Sequence, residues 1–139
     1  VVDGRVTTMR VVPRFDVIED LVESRVAMAR CYSERMLGIV GCPPVPPLGD
    51  CSSNFFDYVI FTQDRDGLRH FLHTQGIETK VKHPVLLCDH PAYPCKPRPQ
   101  IPVADRLASQ MISLPLHEKM DATDIDYVCD AIRRYCHGG

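Results

Sequence analysis

Ten of the twelve prolines in this chain of 139 residues stand in two stretches: Pro43, Pro44, Pro46 and Pro47, then Pro84, Pro91, Pro94, Pro97, Pro99 and Pro102. Proline lacks a backbone donor and fixes φ, so neither stretch can form a continuous helix or an inner strand. Regular structure is therefore confined to what lies before, between and after them. The first stretch, residues 41–50, reads as an extended connector. The second makes a loop from 83 to 102, a length that is uncommon inside compact domains and is often functional.

Before the first break, Ile18, Leu21, Val22, Met28, Ala29, Tyr32 and Met36 recur at spacings of three and four. That is the apolar stripe of a long helix over residues 15–37, ending near Gly38, with Glu19, Asp20, Glu23, Arg30 and Glu34 on its wetter side. Residues 1–13 keep no period and read as an irregular lead-in closed by Pro13. Between the breaks, residues 55–62 carry Phe56, Tyr58, Val59, Ile60 and Phe61, the aromatic and β-branched content of a strand. A helix follows, capped by Asp64, with Leu68, Phe71 and Leu72 on its apolar face and Gly76 at its end. Residues 77–81 predict a second strand. Beyond the loop, 104–110 suits a short helix and 111–114 a third strand. A last helix follows, capped by Asp121 or Thr123, with Ile125, Val128, Ile132 and Tyr135 on its stripe. This order predicts an α+β fold: a small sheet with helices packed mainly on one face, within one domain spanning 1–139 in which 55–135 supply the sheet and its helices.

Sixteen basic and eighteen acidic side chains leave a charge of -2 without a basic stripe, which argues against nucleic acid as a partner. The longest apolar runs fall far short of the roughly 20 residues that span a bilayer, so no membrane crossing is expected. No charged-then-apolar leader follows Val1, and the chain reads as a fragment or a processed piece. Seven cysteines, Cys31, Cys42, Cys51, Cys88, Cys95, Cys129 and Cys136, include no CxxC pair, and an odd number cannot all pair internally. Reduced thiols in a cytoplasmic protein are the expectation. Cys88, His90 and Cys95, with His83, come nearest to a ligand cluster, but their spacing does not call for a metal, and none is assigned.

Three phrases in the second half point further. YVIFTQDRDGLRHFLHTQGIETKV (58–81) resembles the strand-helix-strand of the C-terminal small domain of DegT/StrS aminotransferases, with its R-D-x-L and G-I-x-T elements. HPVLLCDHPAY (83–93) is similar to the family loop H-Y-P-x-P-L-H-x-Q-P-A-Y. PVADRLASQMISLPLHEKMDATDIDYVCDAIR (102–133) resembles the closing segment, in which A-x-x-L, S-L-P-L-H and D-x-D-Y-V-x-x-A-I occur in this order. The resemblance implies a fold type I aminotransferase small domain belonging to an enzyme that moves an amino group to a keto sugar carried on a nucleotide. It also implies pyridoxal phosphate, an electron sink held as a Schiff base by a lysine of a large domain. Lys80, Lys82, Lys96 and Lys119 do not match the family's attachment segment, so the cofactor is expected on a large domain outside this chain. The chain alone is then non-catalytic, with no catalytic or cofactor-binding residue assigned. A large aminotransferase domain or partner chain and a nucleotide sugar are the implied partners, with the full enzyme a homodimer. The alternative is a free-standing, non-catalytic small domain that binds a partner chain or a nucleotide sugar.

In the family the loop after the second strand helps to hold the sugar. Here Lys82 and His83 stand where His and Tyr are usual, and Cys88 stands where a second His is usual. These three are the candidate substrate-binding residues. Lys82 could meet a phosphate or carboxylate as a point charge, and His83 could donate to a hydroxyl. Cys88 as a nucleophile would need a base and a positive setting. The competing readings are a solvated lysine, a loop histidine without a role, and a buried thiol. His117, at the end of the S-L-P-L-H phrase, is read as structural.

Overall fold

The computed structural model describes residues 17–39, 53–93 and 96–138. The expected lead-in, the first two residues of the long helix and the connector at 41–50 lie outside the described residues. Among the described residues four helices and two strands follow one another: α1 (Ile18–Met36), β1 (Tyr58–Phe61), α2 (Arg65–Thr74), α3 (Pro102–Gln110), β2 (Met111–Leu114) and α4 (Ala122–His137), with a 3-10 turn at Leu87–Asp89. The strands pair antiparallel in the register Tyr58↔Leu114, Ile60↔Ile112. On the other side of β2, Lys80 makes an isolated antiparallel bridge to Ser113. Because β1 and Lys80 are both antiparallel to β2, they run in the same direction with β2 between them, and α2 is the crossover that joins them.

The strand expected over 77–81 is thus reduced to one bridge. Lys80 N–H donates to Ser113 O at 3.1 Å and Ser113 N–H to Lys80 O at 2.8 Å, but Ile77 N–H is spent on the end of α2, on Leu72 O at 2.9 Å. At the other end the chain turns away at His83, whose φ is 51°. Pairing has room for Lys80 alone. β1 is likewise shorter than the predicted 55–62, starting at Tyr58 after Phe55 has taken a positive φ of 45°. The other elements agree with the periodicity: the short helix starts at Pro102, where proline suits the first turn, and β2 occupies 111–114 as expected.

The helix starts follow from side-chain chemistry. Asp64 caps α2 by accepting from Gly67 N–H at 3.0 Å, and Tyr135 Oη donates to the same carboxylate at 2.6 Å. Asp121 caps α4 in a reciprocal box with Asp124: its carboxylate accepts from Thr123 and Asp124 N–H, while its own N–H donates to Asp124. The buried side chains of α1, β1, α2, β2 and α4 form a contiguous cluster centred on Tyr32, Ile60, Leu68, Ile112 and Ile132. The Tyr32 ring stacks on Tyr58 at 4.7 Å between centroids, and its hydroxyl donates to Pro115 O at 2.9 Å. A fully buried tyrosine thereby keeps its polar end satisfied. Only the C-terminal half of the α1 stripe is buried, from Met28 to Met36, where α1 packs on α4 and meets Tyr58 of β1; Ile18 is 44% exposed.

Candidate functional site

A cleft of about 600 Å³ opens between α1, the residues leading into β1, the 76–82 edge and the start of α4. Its polar lining comes from Arg25 on α1, Asp57 before β1, Glu78, Lys80 and Lys82 on the edge, and Asp124 on α4. Phe56 and Tyr127, both exposed, add aromatic surface. The 76–82 edge positions its lysines because the Lys80 bridge to Ser113 holds that backbone against β2. Period-2 alternation then brings Glu78, Lys80 and Lys82 to the same side.

Of the three residues singled out from the sequence, only Lys82 lines this cleft. Its ammonium is paired with the Asp57 carboxylate and stands 4.3 Å from the Phe56 ring centroid. The expected point charge is thus already answered inside the protein. His83 is exposed at the left-handed turn that leaves the edge, and Cys88 is half-buried in the 3-10 turn beside Asp89. The structure does not bring the three together in this cleft. Cys88 is also less enclosed than the buried-thiol reading held; among the described residues the thiol that burial does seal is Cys129, with its pKa pushed up to about 11. No three His, Cys, Asp or Glu side chains converge on a metal position among the described residues, and Cys95 lies outside them. His117, read as structural, is exposed on the cleft rim, where its Nδ1 accepts from Lys119 N–H at 3.3 Å.

Arg25, Phe56 and Asp57 were not singled out from the sequence. Arg25 had a signal: it lies four residues before Ala29 and seven before Tyr32, on the stripe that α1 turns inward, where a guanidinium is out of place. Asp57 had none, because its partner Lys82 lies 25 residues on and the two meet only when the edge folds beside β1.

Pyridoxal phosphate does not fit the described residues. Lys82 is tied to Asp57, and Lys80, Lys96 and Lys119 are exposed. The start of α4, a natural seat for a phosphate, is closed by the carboxylates of Asp121 and Asp124.

Residues 10–133 match the DegT/DnrJ/EryC1/StrS aminotransferase family, and the chain belongs to that family. A UDP-2-acetamido-2-deoxy-3-oxo-D-glucuronate aminotransferase of Pseudomonas aeruginosa is 27% identical over 136 residues, covering 94% of this chain and 37% of that protein. A dTDP-3-amino-3,4,6-trideoxy-alpha-D-glucose transaminase of Streptomyces venezuelae is 30% identical over 115 residues, 80% of this chain and 30% of that one. Among solved structures, S. venezuelae DesV in complex with a ketimine intermediate superposes with a TM-score of 0.83 at 27% identity, over 88% of this chain and 33% of that one. A family aminotransferase from Brucella abortus gives 0.76 at 29% identity, again over 88% and 33%. The chain spans about a third of the length of these relatives. Their fold confirms an α+β small domain. No helix among the described residues is long and apolar enough to cross a membrane.

Proposed function

We propose that this chain is the small-domain part, one domain over 1–139, of an aminotransferase that moves an amino group to a keto sugar carried on a nucleotide. Its cleft forms the substrate side of that enzyme. The observation that supports this reading is the family match over residues 10–133 to proteins named for UDP- and dTDP-linked sugars, of which this chain spans about a third. Pyridoxal phosphate, which supplies the electron sink in such enzymes, belongs in this reading to the large domain. The work of this chain's own residues is to bind and orient. Lys82 is the proposed substrate contact on the edge, its ammonium shared between Asp57 and the ligand, with His83 and Cys88 on the loop that continues from it. A homodimer and a cytoplasmic location go with the reading.

The test joins or mixes the chain with a large domain of the family and follows transfer of the amino group from glutamate to a UDP- or dTDP-linked keto sugar by mass. Transfer above that of the large domain alone supports the proposal. No transfer from a folded, associated mixture removes it.

A further inference from the structure

The other charges in the cleft are either paired within the protein or open to water. Lys82 is paired with Asp57, Asp124 is held in the capping box of α4, and Lys80 and Glu78 are exposed to water on the same edge. Arg25 differs. Its Nε is buried and has no hydrogen-bond partner among the described residues. Its guanidinium lies over the ring of Phe56, 5.8 Å from the centroid, and the residue lines the cleft. A ring face attracts the delocalised charge but offers the in-plane Nε–H no acceptor, while the half-buried residue keeps its outer nitrogens towards the cleft. A charged donor taken out of water without an acceptor is destabilising and unusual, and such a group calls for an explanation. Phe56 is itself 66% exposed, an apolar platform that carries two cations at the cleft mouth.

We infer that Arg25 anchors an oxyanion in this cleft, its fork meeting two oxygens of a phosphoryl or carboxylate group while Phe56 holds the guanidinium plane in place. Bidentate pairing of this kind is what arginine supplies and lysine does not. The inference rests on the aminotransferase reading only for the carrier of the anion, either the phosphates of a nucleotide or the carboxylate of an amino donor. The site itself stands on the geometry.

Two probes separate the sources: inorganic pyrophosphate and L-glutamate, titrated into the 139-residue chain while the Arg25 Nε–H resonance is followed by NMR and affinity by calorimetry. The expected result is a shift of that resonance with at least one probe, and a loss of affinity of about ten- to a hundredfold in Arg25→Gln. Arg25→Lys keeps the charge without the fork and should recover only part of the loss. Lys119→Gln makes the same charge change outside the cleft and should leave affinity within about twofold. An Nε–H that neither probe moves would overturn the inference, as would equal losses in Arg25→Gln and Lys119→Gln. The NMR reading is made on the unaltered chain, so a variant that fails to fold does not shelter the idea. Arg25-dependent binding of pyrophosphate without amino transfer in the joined enzyme would sink the aminotransferase reading and leave this one standing; transfer without any effect at Arg25 would do the reverse.

Discussion

Around Tyr32, elements far apart in sequence meet through apolar side chains, and the polar atoms among them are satisfied inside: Tyr32 Oη on Pro115 O, and Tyr58 Oη against Ser33 Oγ. The described part of the loop, 83–93 and 96–101, is built differently. Val85 and Leu87 are exposed there, the 3-10 turn buries nothing, and Arg98 bridges Asp89 on the turn and Asp105 on α3. One region is held by burial, the other by charge pairs open to water, which contribute little to global stability. The two regions give way differently. Removing apolar volume at the core unfolds the whole, whereas removing charge at the loop releases only that segment.

The largest effect is expected at the centre of the core. Tyr32→Ala should cost about 3–5 kcal/mol, measured by urea denaturation, since it removes a fully buried ring and leaves Pro115 O without its donor. The same ring makes the core sensitive to alkali. Burial raises the pKa of Tyr32, and of Tyr58 beside it, above the usual tyrosine range. A group whose folded pKa is raised contributes stability that is fully present below its unfolded value, about 10, and is lost as pH rises beyond it. Unfolding curves that stay level up to pH 11 would contradict this account of the core.

A smaller effect is expected where α2 begins. A Cβ at Gly67 would run into the Asp64 carboxylate and the Tyr135 hydroxyl, which together cap the helix and tie it to α4. Gly67→Ala should therefore lower the thermal midpoint by roughly 3–6 °C, although alanine elsewhere in a helix usually raises it. A higher midpoint would show that the cap does not depend on the missing Cβ.

The smallest global effect, and the sharpest local one, belongs to the loop. Arg98 holds the Asp89 carboxyl below the usual carboxylate range. A depressed folded pKa contributes stability present above the unfolded value, about 3.9, and lost as pH falls through the folded one. Below about pH 4 the loop amides should exchange faster while those of β1 and β2 stay protected; the caps at Asp64 and Asp121, also depressed, loosen the helix starts in the same range. Arg98→Met at pH 7 should reproduce the loop exchange alone, without moving the global midpoint. Equal protection in both proteins would mean that the loop is held by something other than its charges.

Elements that carry a period are legible along the chain. The stripe of α1, the Asp64 cap, a cap for α4 at Asp121 or Thr123, the β2 tetrapeptide and the proline-rich loop before α3 could be read because helix pitch, capping and the missing proline donor are local properties of the chain. So could the family, through phrases whose order survives along the chain. Pairing across distance is legible only in the folded molecule. Residues 77–81 have strand composition, yet only Lys80 pairs, since Ile77 gives its N–H to α2 and His83 turns the chain away. Lys82 has the look of an open cation until Asp57 is brought beside it, and Arg25, out of place on the inward stripe of α1, shows what it meets only once Phe56 is brought under it. Charge and hydrogen-bond state belong to neighbours in space, and no local period records which neighbours those will be.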